Sequence, residues 1–182
     1  MTARIAPLEP PFPPEVQAAF DAIMPAGVPP LTLFTTLAQS PRVYEKFRNG
    51  GLLDRGAISM RERELMIDRT CARTGNAYEW GVHVTFFAGR VGLDAAEIEA
   101  LALQGWDWPL WSPADAAIIR LADELHETAA ISEAAWTALR AHYDDAQILE
   151  LIALAGFYRT VAYYCNGLKL PLESYGAPLP TA

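Results

Sequence analysis

A chain of 182 residues, 52% apolar and 20% charged, is globular in composition, with enough sequence for one substantial core and too little for two domains of ordinary size. The net charge of −8 at pH 7 argues against nucleic acid or an anionic membrane as the main partner, since both repel an acidic surface. It leaves room for a small anionic substrate, which needs only local positive charge, and Arg69, Arg73 and Arg90 are candidate sources of it.

Residues 1–14 carry Pro7, Pro10, Pro11, Pro13 and Pro14, which remove backbone donors and fix φ, so an extended arm is expected there. Such an arm either wraps a neighbouring subunit or frays. Glu15 to Met24 reads as a first helix, with Val16, Phe20 and Ile23 on one side. Leu31 to Gln39 reads as a second. Ser40-Pro41 opens a third, which carries Val43, Phe47 and Leu52. Ser59 caps a fourth helix with Glu62 as its capping-box partner, and Gly75 ends it after Thr74. The fifth runs from Asn76 to Val91. Asp94 caps a sixth, with Ile98 and Leu101 facing the core, and Gly105 stops it. After the aromatic connector Trp106 to Trp111, Ser112-Pro113 opens a seventh helix that reaches about Glu127. Ser132 caps an eighth, which ends near Tyr143. Asp144 or Asp145 caps a ninth, running to Asn166-Gly167. No alternating apolar pattern persists long enough for a strand. The expectation is one all-α domain over residues 1–182, about nine helices without significant sheet, packed around the fourth, fifth and ninth.

The N-terminus has no apolar core of signal-peptide length. No apolar run approaches membrane-spanning length, Ile148 to Phe157 being interrupted by Glu150. Cys71 and Cys165 stand far apart inside helical patterns and read as buried thiols in a reduced, cytoplasmic protein.

The chemistry gathers in the fourth and fifth helices. Asn76, Glu79 and His83 stand at i, i+3 and i+7 and share one helix face. Glu64 lies on a stripe with Met60, Ile67 and Cys71, which puts a carboxyl group among apolar neighbours and raises its pKa. If Glu64 pairs instead with Arg61 or Arg63, that stripe position carries no meaning. Glu79 with His83 at i, i+4 fits an ordinary helix pair as well as a site. Asn76 fits a helix cap after Gly75 as well as a catalytic donor. His126 and His142 stand on separate helices without paired ligand spacing, and the repeated Glu-x-x-His of carboxylate-bound metal bundles is absent. Neither a metal nor any other cofactor is expected.

The stretch from Arg61 to Leu101 resembles the carboxymuconolactone decarboxylase family, which includes the alkyl hydroperoxidase D-like proteins. The likeness is carried by Arg61-Glu-Arg-Glu-Leu65, Ala72-Arg-Thr-Gly75, Tyr78-Glu-Trp-Gly-Val-His83, and Gly92-Leu-Asp94 with Glu97, Ile98 and Leu101, within a core motif over 59–104. The resemblance implies an alkyl hydroperoxidase D-like helical bundle and a homo-oligomer (dimer, trimer or hexamer) with sites near subunit contacts. The peroxidase branch uses Cys-x-x-Cys-x-x-x-His with an upstream glutamate. Aligned on His83, its cysteines fall on Asn76 and Glu79 and its glutamate on Glu64. With both thiols missing, thiol peroxidase chemistry is not expected. The decarboxylase branch keeps a glutamate four residues before its histidine, as Glu79 and His83 do. The resemblance therefore implies decarboxylation or proton transfer on a small cyclic acid or lactone, in aromatic catabolism. A non-catalytic oligomeric binding or stress-associated protein of the same fold is the alternative. In the catalytic reading His83 transfers the proton, Glu79 orients it and Glu64 is the second member of the relay. Asn76 stabilises the enolate oxygen, Tyr78 and Trp80 shape the substrate pocket, and Arg73 or Arg69 holds a carboxylate.

Overall fold

The computed structural model describes residues 3–181. Its helices start where short polar side chains satisfy the first free backbone N–H groups. Ser59 and Glu62 form a reciprocal capping box at the start of α4 (Met60–Thr74), and Gly75 ends that helix in the left-handed conformation, at φ 62°. Asn76 caps α5 (Ala77–Phe87). Capping boxes also open α6 (Ala95–Leu103), from Asp94 and Glu97, and α9 (Asp145–Leu168), from Asp144 and Gln147. Ser112 and Ser132 cap α7 (Pro113–Thr128) and α8 (Glu133–Arg140). The three earlier helices, α1 (Pro14–Asp21), α2 (Thr32–Leu37) and α3 (Pro41–Arg48), lack side-chain caps, and two of them rely on a proline in the first turn. Among the described residues there is no strand.

Several boundaries differ from the sequence expectation. α1 stops at Asp21, so Ile23 lies outside it and is exposed. α5 stops at Phe87 and tightens into a 3-10 turn over Ala88–Arg90. α8 stops at Arg140, with His142 and Tyr143 in the turn beyond. In the third helix region Tyr44 is the buried residue, while Leu52 sits exposed in the following loop with φ 45°.

α4 is the central helix, packing against α5, α6, α7 and α9. α9 is long and apolar enough to cross a membrane by length and composition, contrary to the sequence expectation. Here it is the second core helix, burying Leu151, Leu154, Tyr158, Val161 and Cys165. The proline-rich arm neither reaches outward nor frays over its described part. Arg4 N donates to Leu168 O at 2.8 Å and Leu8 N to Thr35 O at 3.0 Å, so the arm lies on its own chain. Met1 and Thr2 lie outside the described residues.

The C-terminal tail straps the outer side of α5. Trp80 Nε1 donates to Pro178 O at 3.1 Å, and Ala177 N to Gly81 O at 3.2 Å. Gly81 permits this approach, because a Cβ there would stand 3.1 Å from both Ala177 O and Gly176 Cα. The strap and α4 grip α5 from two sides, which fixes the rotation of the helix that carries His83.

Candidate active site

On the inner face of α5, His83 meets α4 and α9. Its Nδ1 lies 2.7 Å from Glu64 Oε2, and its Nε2 lies 3.0 Å from the Tyr158 hydroxyl and 3.6 Å from Glu79 Oε2. The ring packs edge-on against Tyr158, with centroids 5.1 Å apart. The α4–α5 hairpin therefore brings Glu64 and His83 into contact, a point the sequence left open. Glu64, fully buried, also accepts from Arg63: Nε donates to Oε1 at 2.8 Å. The two readings of Glu64 thus hold at once, because one carboxylate oxygen faces Arg63 and the other faces His83.

Burial pushes His83 towards its neutral form, but Glu64 and Glu79 overcome it and raise its pKa to about 10. At neutral pH the ring is an imidazolium, so both nitrogens donate. Nδ1–H is held by Glu64, and Nε2–H faces Tyr158 and Glu79. The two carboxylates sharing the ring hold its proton more tightly than a free imidazole would.

A carboxyl raised by burial stands one turn after Glu64 on α4. Asp68 is fully buried, neither of its oxygens has a hydrogen-bond partner, and burial holds its pKa well above the usual carboxylate range. The nearby charges of His83 (lowering) and Glu64 (raising) act on it less than burial does. Asn76 caps α5, its side-chain oxygen accepting from Glu79 N at 3.4 Å, while its buried Nδ2 has no partner. Glu79 Oε1 is likewise buried without a partner. These open valences surround the same hairpin.

Other assignments are corrected. Tyr78 does not line this site. Its hydroxyl accepts from Leu33 N at 3.0 Å and donates to Glu173. Trp80 is fully buried against the tail through its bond to Pro178. Arg73 points to α7, pairing with Glu127 and Asp123, and Arg69 does the same by a two-bond contact with Asp123 at 2.7 and 2.8 Å. Neither arginine faces His83, since both lie on the α4 face that packs against α7. Cys71 and Cys165 are buried, and burial, with Glu79 nearby, holds both thiols well above their usual pKa. A protonated, enclosed thiol is a poor nucleophile.

Sequence reasoning missed Tyr158, Asp68 and the position of Arg63. Asp68 had a signal, standing four residues after Glu64 on the same stripe. Tyr158 had none beyond its place on the apolar face of α9.

The sequence matches the model of the Carboxymuconolactone decarboxylase family over residues 38–124. No curated protein matches it. Among solved structures, an uncharacterized peroxidase-related protein from Silicibacter sp. TM1040 superposes with a TM-score of 0.78 at 19% identity, over 98% of this chain and 96% of that one. The alkylhydroperoxidase AhpD core of an uncharacterized peroxidase-related protein from Ralstonia eutropha JMP134 gives 0.73 at 16% identity, over 94% and 93%. A cysteine-to-alanine variant of the debrominase Bmp8, in complex with 2,3,4-tribromopyrrole, gives 0.76 at 14% identity, over 96% and 94%.

Proposed function

We propose that this chain, which matches the carboxymuconolactone decarboxylase family model over residues 38–124 and shares its fold with alkyl hydroperoxidase D-like structures, is a cofactor-free lyase or isomerase that protonates a carbanion derived from a small cyclic acid or lactone. The observation that carries this reading is His83, held as an imidazolium between Glu64 at 2.7 Å and Tyr158 at 3.0 Å. A cationic acid with one proton committed to a carboxylate and the other directed elsewhere is suited to deliver that second proton.

In the decarboxylating case, the C–C bond to the substrate carboxylate breaks and carbon dioxide leaves. The electron pair remains on carbon and delocalises into the adjacent carbonyl. His83 gives up its Nε2 proton to that carbon, through the Tyr158 hydroxyl or directly, and becomes neutral. Water restores the proton. Asn76 Nδ2, buried without a partner, donates to the enolate oxygen. Glu79 and Glu64 keep the ring oriented and charged. Homo-oligomerisation is part of the same proposal: Leu149 and Tyr163 on α9 are 67% and 64% exposed, and analytical ultracentrifugation reads the state directly.

The test is carbon dioxide release from 4-carboxymuconolactone and related lactone acids, by wild type and by His83→Gln with its fold confirmed by circular dichroism. Turnover that vanishes in the folded variant supports the reading. Turnover that survives the substitution removes His83 from it. No turnover on any of these acids, together with no solvent-hydrogen exchange into them, moves the protein to the non-catalytic binding alternative.

A further inference from the structure

A surface helix of a globular protein normally turns a charged or polar face to water. α9 does not. Between residues 147 and 165 its exposed positions are Leu149, Ala153, Gly156, Thr160 and Tyr163, and none is charged. They follow the 4-3-4-3 spacing of a seam between two helices. The charges that flank this seam are spent inside the chain. Glu150 accepts from Ala57 N and Ile58 N. Arg159 donates from Nε to the Tyr163 hydroxyl at 2.9 Å and from Nη1 to His126 O at 3.0 Å.

Gly156, at the centre of the seam, is not explained by its own chain. Glycine weakens a helix interior, so a helical glycine usually marks a close approach. At Gly81 in α5 that approach is the tail, which would stand 3.1 Å from a Cβ. No described atom lies within 4 Å of where a Gly156 Cβ would stand. The open space is on the outside. A cavity of about 220 Å³ lies beside Gly156 between α7 and α9, walled by Leu125, Ala129, Ile152 and Ala155.

We infer that α9 is the face on which a second copy of this chain docks, the two α9 helices crossing antiparallel with Gly156 on the two-fold axis. The pattern is complementary to itself about that point. Leu149 and Tyr163 each stand seven residues from Gly156, so an antiparallel copy sets each Leu149 beside Tyr163 of the partner subunit and roofs the cavity. The area suffices. α9 has 24 residues and is about 36 Å long, and with the groove towards α7 the strip is about 20 Å wide, which gives roughly 700 Å² a side against the ~800 Å² of a standard stable interface. A membrane does not explain the pattern, since the opposite side of α9 is packed in the core and the net charge of −8 repels anionic lipid. The inference goes beyond the proton-transfer reading and needs none of it; it gives the homo-oligomer proposed above a face and a register. Tyr158 lies two residues from Gly156, so a docked helix would back the residue that meets His83.

The full chain is tested by analytical ultracentrifugation and by cross-linking. Gly156→Arg meets nothing in its own chain, so circular dichroism is expected to stay unchanged while the sedimenting mass halves. Gly156→Cys is expected to form a disulfide between copies under a mild thiol oxidant, because the two-fold axis sets it opposite itself. Wild type is not, its Cys71 and Cys165 being buried. This variant decides the matter should Gly156→Arg fail to fold. Register is read with a short bis-maleimide. Leu149→Cys and Tyr163→Cys are each expected to stay uncross-linked, and the double variant to join copy to copy, its two thiols being about 21 Å apart within one helix. A monomeric wild type, an undiminished mass in Gly156→Arg, no disulfide in Gly156→Cys, or cross-linking of Leu149→Cys alone would each overturn the interface. In the second of these cases the homo-oligomer itself stands, built on another face.

Discussion

The two faces of α5 are held by opposite means. On the outer face, Tyr78 and Trp80 have their polar atoms bonded to Leu33, Glu173 and Pro178, and Gly81 lies in backbone contact with the tail. On the inner face, Asn76 Nδ2 and Glu79 Oε1 are buried with nothing to bond, and His83 carries a charge in the interior. A saturated face costs nothing to bury and serves to fix the helix. An unsaturated one is held in place by the packing around it and keeps bonding capacity for something that arrives later. The contrast teaches where to look for chemistry within a single helix of eleven residues.

Substitutions test that contrast, and the largest effect belongs to the inner face. His83→Gln is expected to reduce turnover by about 10²–10⁴-fold, the usual contribution of a positioned proton donor, with the fold retained. Glu64→Gln is next. It leaves Arg63 and His83 without their shared anion, so about 3 kcal/mol of stability should be lost in denaturant titration. The His83 pKa should also fall from about 10, as read by nitrogen-15 NMR. Tyr78→Phe breaks the outer face alone: about 1–3 kcal/mol of stability is expected to go, while kcat and the His83 titration stay as they are. A change in the His83 titration in that variant would show that the two faces are not separable.

The remaining tests read pH dependence. His83 has a folded pKa raised from 6.5 to about 10, so its stabilising contribution is complete below pH 6.5 and is lost as pH rises towards about 10. Asp68, also raised, behaves the same way in an earlier window, its contribution falling as pH climbs above 3.8. Asp68→Asn should therefore flatten the melting-temperature profile just above that pH and leave the later fall intact. A variant that instead flattens the fall towards pH 10 would exchange the two assignments.

The helix boundaries that were legible in sequence are those written in local chemistry. Ser59 with Glu62, Asp94 with Glu97, and Asp144 with Gln147 each mark a start within reach of their own backbone, and Gly75 marks a stop by its handedness. α1 and α8 carry no such stop signal, and their ends were overextended. In the site, the meeting of Glu64 with His83 was legible because a tight hairpin sets the register of both. Tyr158 was not, because its contact with His83 spans 75 residues and depends on how α9 lies. Tyr78 and Trp80 were misassigned for the same reason. Their neighbour Glu79 faces inward, but side chains one position apart on a helix point about 100° apart, and the partners that claim them come from the tail. Arg69 and Arg73 looked free because Asp123 and Glu127, spaced four apart like themselves, lie on a helix that only the tertiary fold sets beside them.

The strap on α5 also orders events in time. Trp80 finds its carbonyl partner 98 residues later in the chain, and Tyr78 finds its carboxylate 95 residues later. During synthesis α4 and α5 can form as a hairpin early, since their contacts are local. The final setting of His83 waits until residues 173–178 have left the ribosome and closed over Gly81. His83 is thus set in place last, by a piece of chain that never touches it.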